Sequence, residues 1–217
     1  MGGRGATSRS GKIANESVIE KAKTFQELKT YVENKYGLSF GKGMRQLPLE
    51  NVKEVSRAIE RLEKDFPEVT KDVEFITGGS WKSDWAASAK AKPFLNNQTG
   101  KVELKELKVE LNRDFFKNNF SIQGDYTISG NNKRVTVAHE LGHIATYKVA
   151  GYGYVNYCEN VVKFAERATK QKRSDISRYA GGKYQESVAE AFADVAKNKN
   201  GAKAISKEIY KQVKKDW

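Results

Sequence analysis

Val137-Ala138-His139-Glu140-Leu141-Gly142-His143 places two imidazoles four residues apart. On an α-helix, residues at i and i+4 share a face, so both rings can approach one metal ion. Glu140 follows the first histidine and sits at the edge of that stripe, where its carboxylate can face a water at the metal. This is the His-Glu-x-x-His pattern of metallohydrolases, with the glutamate as general base. The chain has only two histidines, and both lie in this motif. A lone histidine is usually a packed or surface residue; a chain whose only pair falls at this spacing is poorly explained that way.

A catalytic zinc takes three protein ligands and keeps one position open. No histidine remains to be the third, and the single cysteine, Cys158, excludes both a thiolate-rich site and an intramolecular disulfide. The third ligand is therefore an Asp or Glu. Carboxylates concentrate in Glu186-Ser187-Val188-Ala189-Glu190-Ala191-Phe192-Ala193-Asp194. There Glu186, Glu190 and Asp194 fall at i, i+4 and i+8 of a predicted helix otherwise built from Val, Ala and Phe. Like charges at this spacing repel, so a metal or a histidine pair compensates what propensity does not. Small alanines would let this helix come close to the motif helix. Two imidazoles and a carboxylate also suit Fe(II) or Mn(II); the helical motif favours one Zn2+ per chain.

Outward from the motif, the pattern predicts helices at about 136–148, 159–170, 183–197 and 205–213, the last stepping Ile205, Ile209, Val213. Upstream, Phe25, Leu28, Tyr31, Val32 and Tyr36 predict a helix ending at Gly37. Val52, Val55, Ile59, Leu62 and Phe66 line one face of another that Pro67 ends. Between them, Leu38 to Arg45 reads as a loop. In the middle the period changes. Val73, Phe75 and Thr77 alternate as a strand closed by Gly78-Gly79. A short strand is expected near Trp85 and Ala87, and a strand-turn region with Tyr126 and Ile128. Lys101 to Asn112 reads either as strands with a phase break at Lys105-Glu106 or as a helix followed by a strand; Lys108–Leu111 favours strand. Residues 1–20 read as a flexible basic leader rich in Gly and Ser, and 21–217 as one domain.

Bulk composition sets the frame. The 217 residues, 38% of them hydrophobic, suffice for one domain with a real core. No run of about 20 apolar residues spans a membrane and no apolar targeting core opens the chain. With 39 Lys+Arg against 27 Asp+Glu the net charge is +12, which permits an acidic partner or a nucleic-acid-associated one. No recognition motif for nucleic acid accompanies that charge.

The motif Val137–His143, followed much later by Glu186–Phe192, resembles the gluzincin metallopeptidases. Within them it is most similar to the anthrax lethal factor catalytic domain and the toxin-like domains of phage minor head proteins. The resemblance covers about residues 73–197. It implies an α+β, zincin-like domain, with a small twisted mixed sheet packed against the motif helix and a second, glutamate-bearing helix. It implies that Glu186 is the third zinc ligand and that Glu190 orients a ligating histidine. A carboxylate on the far ring nitrogen sets the imidazole's tautomer and rotamer. Tyr179, seven residues before the ligand, corresponds to a tyrosine that assists at the substrate carbonyl or leaving group, with Tyr184 as the fallback. Asp194 is a further candidate for a supporting bond. Lys108, Val109, Glu110 and Leu111 are assigned the sheet edge that pairs with extended substrate. Tyr147, Tyr152, Tyr154 and Tyr157 either line the substrate cleft or pack against the sheet, and packing is the favoured reading.

The implied activity is a zinc-dependent endopeptidase acting on a protein substrate, phage- or mobile-element-encoded and toxin-like, in the cytoplasm or carried by a phage particle. Two alternatives stand beside it. The repressor-cleaving metallopeptidases of mobile elements place their third ligand sooner than the 42 residues that separate His143 from Glu186. A non-catalytic structural or binding module of a phage particle, with a metal holding its fold, would have no need of Glu140.

Overall fold

The computed structural model describes residues 17–78, 85–100, 102–117 and 127–217. In chain order these form α1 (Val18–Lys21), α2 (Phe25–Tyr36), β1 (Ser39–Phe40), α3 (Leu49–Asp65), β2 (Glu74–Gly78), β3 (Ala87–Leu95), β4 (Val102–Asn112), α4 (Arg113–Lys117), α5 (Lys133–Ala150), α6 (Tyr154–Thr169), α7 (Tyr184–Asn198) and α8 (Ala204–Asp216). The class is α+β, with one small mixed sheet in the spatial order β1-β2-β4-β3. β1, β2 and β4 run parallel; β3 runs antiparallel on the far side of β4. Among the described residues no helix is long and apolar enough to cross a membrane.

The expected helices form where the periodicity puts them. Thr24 caps α2 by accepting the Glu27 N–H at 3.2 Å, and Gly37 closes it at φ 66°, a conformation glycine adopts without strain. Val52, Val55, Ile59 and Leu62 of α3 are all buried, as their spacing predicts. The stretch Leu38 to Arg45, read as a loop, contributes the two-residue β1. Trp81–Asp84, Tyr126 and residues 1–16 of the expected leader lie outside the described residues, and Ile128 falls in a bend rather than a strand.

Lys101–Asn112 resolves in favour of strand. Val102–Asn112 is a single strand whose phase break is a bulge: Glu106 takes φ 55°, and the pairing with β3 slips between Lys90 and Lys92. The extra residue moves the inward positions from even to odd numbers, so Leu107, Val109 and Leu111 are buried. One assignment is overturned. Lys108–Leu111 is a strand but not an edge, because Lys108 pairs with both Glu74 and Lys90, Val109 with Phe75 and Ala89, Glu110 with Ile76 and Ser88, and Leu111 with Thr77 and Ala87. Its backbone bonds are spent on two neighbours, so no peptide can add there. The edges among the described strands are the two-residue β1 and β3, the latter longer than the short strand expected near Ala87.

α5 lies between this sheet and α7. Asn132 caps it by accepting the Val135 N–H at 3.1 Å. Every residue from Val135 to Gly142 is buried, because β3, α3 and α7 cover the helix on several sides. α7 is equally enclosed, with Ser187 to Asp194 all buried. Phe192 fixes its position, its ring 5.2 Å from Phe66 and 4.7 Å from Tyr210 of α8. Gly142 is where the two helices meet. A Cβ there would stand 3.0 Å from Phe192 Cγ and 3.1 Å from Ala189 Cα, which are ring and backbone atoms and not the tip of a flexible chain. Gly142→Val is accordingly expected to lower stability by about 1–3 kcal/mol despite valine's better helix propensity. The urea midpoint checks this; an unchanged midpoint would mean that α7 can move away freely.

Candidate metal centre

The i, i+4 spacing on α5 turns His139 and His143 toward the first turn of α7. Glu186 Oε2 lies 3.3 Å from His139 Nε2 and 3.4 Å from His143 Nε2. One ligand atom from each of the three residues falls within 4.8 Å of the others. Their close approach depends on the small contact at Gly142, so the glycine of the motif and the alanines of α7 serve the site as well as the fold.

The donor set fits a metal ion. Glu186 Oε2 is buried and makes no well-aligned hydrogen bond within the protein. Separations of 3.3 and 3.4 Å are long for charge-assisted hydrogen bonds, which run about 2.7–2.9 Å. They match the edge of a tetrahedron, about 3.3–3.6 Å, drawn around an ion that holds each ligand at about 2.0–2.2 Å. A buried carboxylate oxygen without a good donor, facing two imidazole nitrogens at that edge length, is what a cation would satisfy.

Each imidazole is held from behind. His139 Nδ1 is 2.9 Å from Glu190 Oε1, and Glu190 Oε2 accepts the Ile128 N–H at 2.7 Å. Glu190 is fully buried, so its charge is spent inside the protein on these partners. With Nδ1–H given to Glu190, Nε2 of His139 is left with its lone pair toward Glu186. His143 Nδ1 makes the corresponding bond with the hydroxyl of Tyr154, at 2.8 Å. Tyr154 opens α6, is buried, and stacks on Tyr147 with ring centroids 3.9 Å apart. Sequence reasoning left Tyr154 among the packing tyrosines, and nothing local marks it among ten of them. Tyr157 instead donates to Asp216 at 2.9 Å, and Tyr152 is exposed.

Glu140 is buried beside the two histidines and lies near the backbone N–H of Ala89 in β3. Burial pushes its carboxyl above the usual range, while the two imidazoles pull it back in part. Tyr179 places its ring 6.0 Å from that of His139 and lies near Glu186; burial and the nearby carboxylates raise its pKa. Tyr184 is not its equivalent, since its ring is covered by the Arg173 guanidinium at 4.0 Å. Asp194 takes no part. Its carboxylate accepts from Asn198 Nδ2 at 2.6 Å and from the Lys203 N–H at 3.0 Å, joining the end of α7 to the start of α8. Eight residues of helix carry it about 12 Å along the axis from Glu186.

Without a metal, a proton occupies the cluster. Burial opposes a charge on His139, but Glu186 and Glu190 outweigh it and raise the imidazole to about 10. A histidine raised from about 6.5 contributes stability that is complete below that pH and lost as pH climbs through the folded value. The metal-free protein should thus lose stability as pH rises from about 6.5 to about 10, readable in urea midpoints. By the same account, zinc uptake near pH 7.5 should release about one proton per ion. Calorimetry in two buffers of different ionisation enthalpy measures that number, and uptake without proton release would contradict it.

Comparison of the chain with protein-family models, with curated proteins and with solved structures gives no match in any of the three.

Proposed function

We propose that this chain is a zinc-dependent endopeptidase of the gluzincin type, hydrolysing peptide bonds in a protein substrate. The observation that carries the reading is the convergence of His139, His143 and Glu186 on one point, with the buried carboxylate of Glu140 beside them. A merely structural metal site has no use for that fourth group. A zinc ion held by the three side chains would supply Lewis-acid polarisation of the substrate carbonyl and lower the pKa of a water toward about 7.

The chain's own residues supply the rest. Glu140 takes a proton from the attacking water as the water oxygen bonds to the carbonyl carbon. It returns that proton to the amide nitrogen as the C–N bond breaks. Its raised pKa suits a group that must both accept and give. Tyr179, near Glu186 at the margin of the cluster, would donate to the oxygen that gains charge. Glu190 fixes the tautomer of His139, and Tyr154 orients the ring of His143. No described strand pairs with the outer edge of β3, and an extended peptide would add there as a further strand. Because Ala89 of that strand lies near Glu140, a peptide laid along the edge would pass beside the base.

A mixture of proteome-derived peptides incubated with the zinc-loaded protein tests the reading by mass spectrometry. New termini that disappear with a chelator and return with zinc are expected. An intact mixture, with zinc bound at full occupancy, would overturn it.

A further inference from the structure

The flanks of the centre differ in charge. On the sheet side, three lysines have acidic partners, Lys90 with Glu110 at 3.1 Å, Lys108 with Glu74 at 3.3 Å and Lys92 with Glu106 at 3.9 Å, while Lys105 lies over the Phe94 ring at 3.8 Å. On the other side, the segment from Arg167 to Lys183 holds six cationic residues against one acid, Asp175. Asp175 is spent on the backbone N–H of Lys172 at 2.8 Å, and the neighbouring Glu166 on that of Arg173 at 3.0 Å. Arg173 has a packing role over the ring of Tyr184. The other five, Arg167, Lys170, Lys172, Arg178 and Lys183, are exposed, and none has an acidic partner among the described residues.

Two of these five adjoin residues of the centre in the chain. Arg178 directly precedes Tyr179, whose ring is against His139. Lys183 directly precedes α7, one turn before Glu186. A surface of matched charges would screen itself; this one leaves its field to a ligand.

We propose that the Arg167–Lys183 segment is a docking wall for acidic residues of the polypeptide substrate, with Arg178 and Lys183 reading the residues nearest the scissile bond. This rests on the peptidase reading of the centre and names its substrate class: peptides carrying Asp or Glu on one side of the cleaved bond. Arg178 and Lys183 are specificity-determining residues; neither is part of the metal cluster, so their replacement leaves the metal in place.

The test separates this inference from the reading it rests on. Zinc-loaded Glu140→Gln protein, which binds without cutting, is titrated into a short fluorescein-labelled peptide whose central dipeptide is flanked by aspartates, and into its lysine counterpart. Anisotropy should show the aspartate peptide bound about tenfold tighter at low salt, the scale of two or so exposed ion pairs, with the advantage shrinking as salt is raised. Adding Arg178→Glu and Lys183→Glu together should reverse the order while zinc content stays at the parent's level. Equal affinities, no binding of either peptide, or a preference that survives the double reversal would overturn the proposal. Displacement of the aspartate peptide by an equal concentration of a single-stranded oligonucleotide would also overturn it, assigning the wall to nucleic acid. Whether the wild-type protein cuts any peptide is read separately, so failure of the peptidase reading is not confused with failure of this one.

Discussion

Glu140→Gln is expected to reduce kcat/KM for peptide hydrolysis by about 10²–10⁴-fold, the usual range for removing a positioned general base, while the protein keeps its zinc and its fold. The amide has the shape of the carboxylate, so the packing of α5 against β3 survives. It cannot take a proton from water. Stability should be unchanged or slightly higher, because burial already disfavours the charged form of Glu140 and the amide removes that cost. Zinc stoichiometry, thermal midpoint and turnover measured on the same preparation distinguish the cases. Loss of turnover with zinc retained assigns the base. Loss of turnover together with zinc would mean that Glu140 supports the ligands instead, and retention of more than a tenth of the activity would place the base elsewhere. Shortening the side chain with Glu140→Asp keeps the charge but withdraws it from the cluster, and should also impair turnover.

What was legible in the sequence follows from what is local. The i, i+4 relation of His139 to His143 and of Glu186 to Glu190 fixes which side chains share a helix face, and these four do meet at one centre. The same periodicity misled at Asp194, because a series repeating every four residues keeps a common face only briefly. By i+8 the position has moved about 12 Å along the axis and rotated away, and there it serves the next helix. The strand pairing was illegible for a different reason. Alternation marks Lys108–Leu111 as a strand but carries no information on how many neighbours it has, and the residues that occupy its second side lie about twenty positions upstream in β3. Tyr154 was hidden by composition: its bond to His143 crosses the turn at Gly151–Gly153, and no spacing rule singles out one tyrosine in ten.

Glu186→Ala is the variant expected to abolish metal binding. The wild-type chain should carry about one zinc ion; the variant keeps two imidazoles but loses the only anionic ligand, and its affinity should fall by more than the 10- to 100-fold typical of an outer-shell partner. Linkage turns this into a stability measurement that needs no substrate. Zinc at 100 times its dissociation constant stabilises the native state by about 2.7 kcal/mol, which for a chain of this size raises the thermal midpoint by about 5–10 °C. That shift should be absent in Glu186→Ala. The metal-free proteins should differ as well, since His139 keeps only Glu190 to hold its proton, and its pKa should drop from about 10 toward the ordinary value. The loss of stability with rising pH then starts near the same pH in both proteins but is smaller, and ends at a lower pH, in the variant than in the metal-free wild type. A wild-type midpoint indifferent to zinc would remove the metal from this centre. The peptidase reading would fall with it, because Glu140 would be a buried carboxylate with no polarised water to act on.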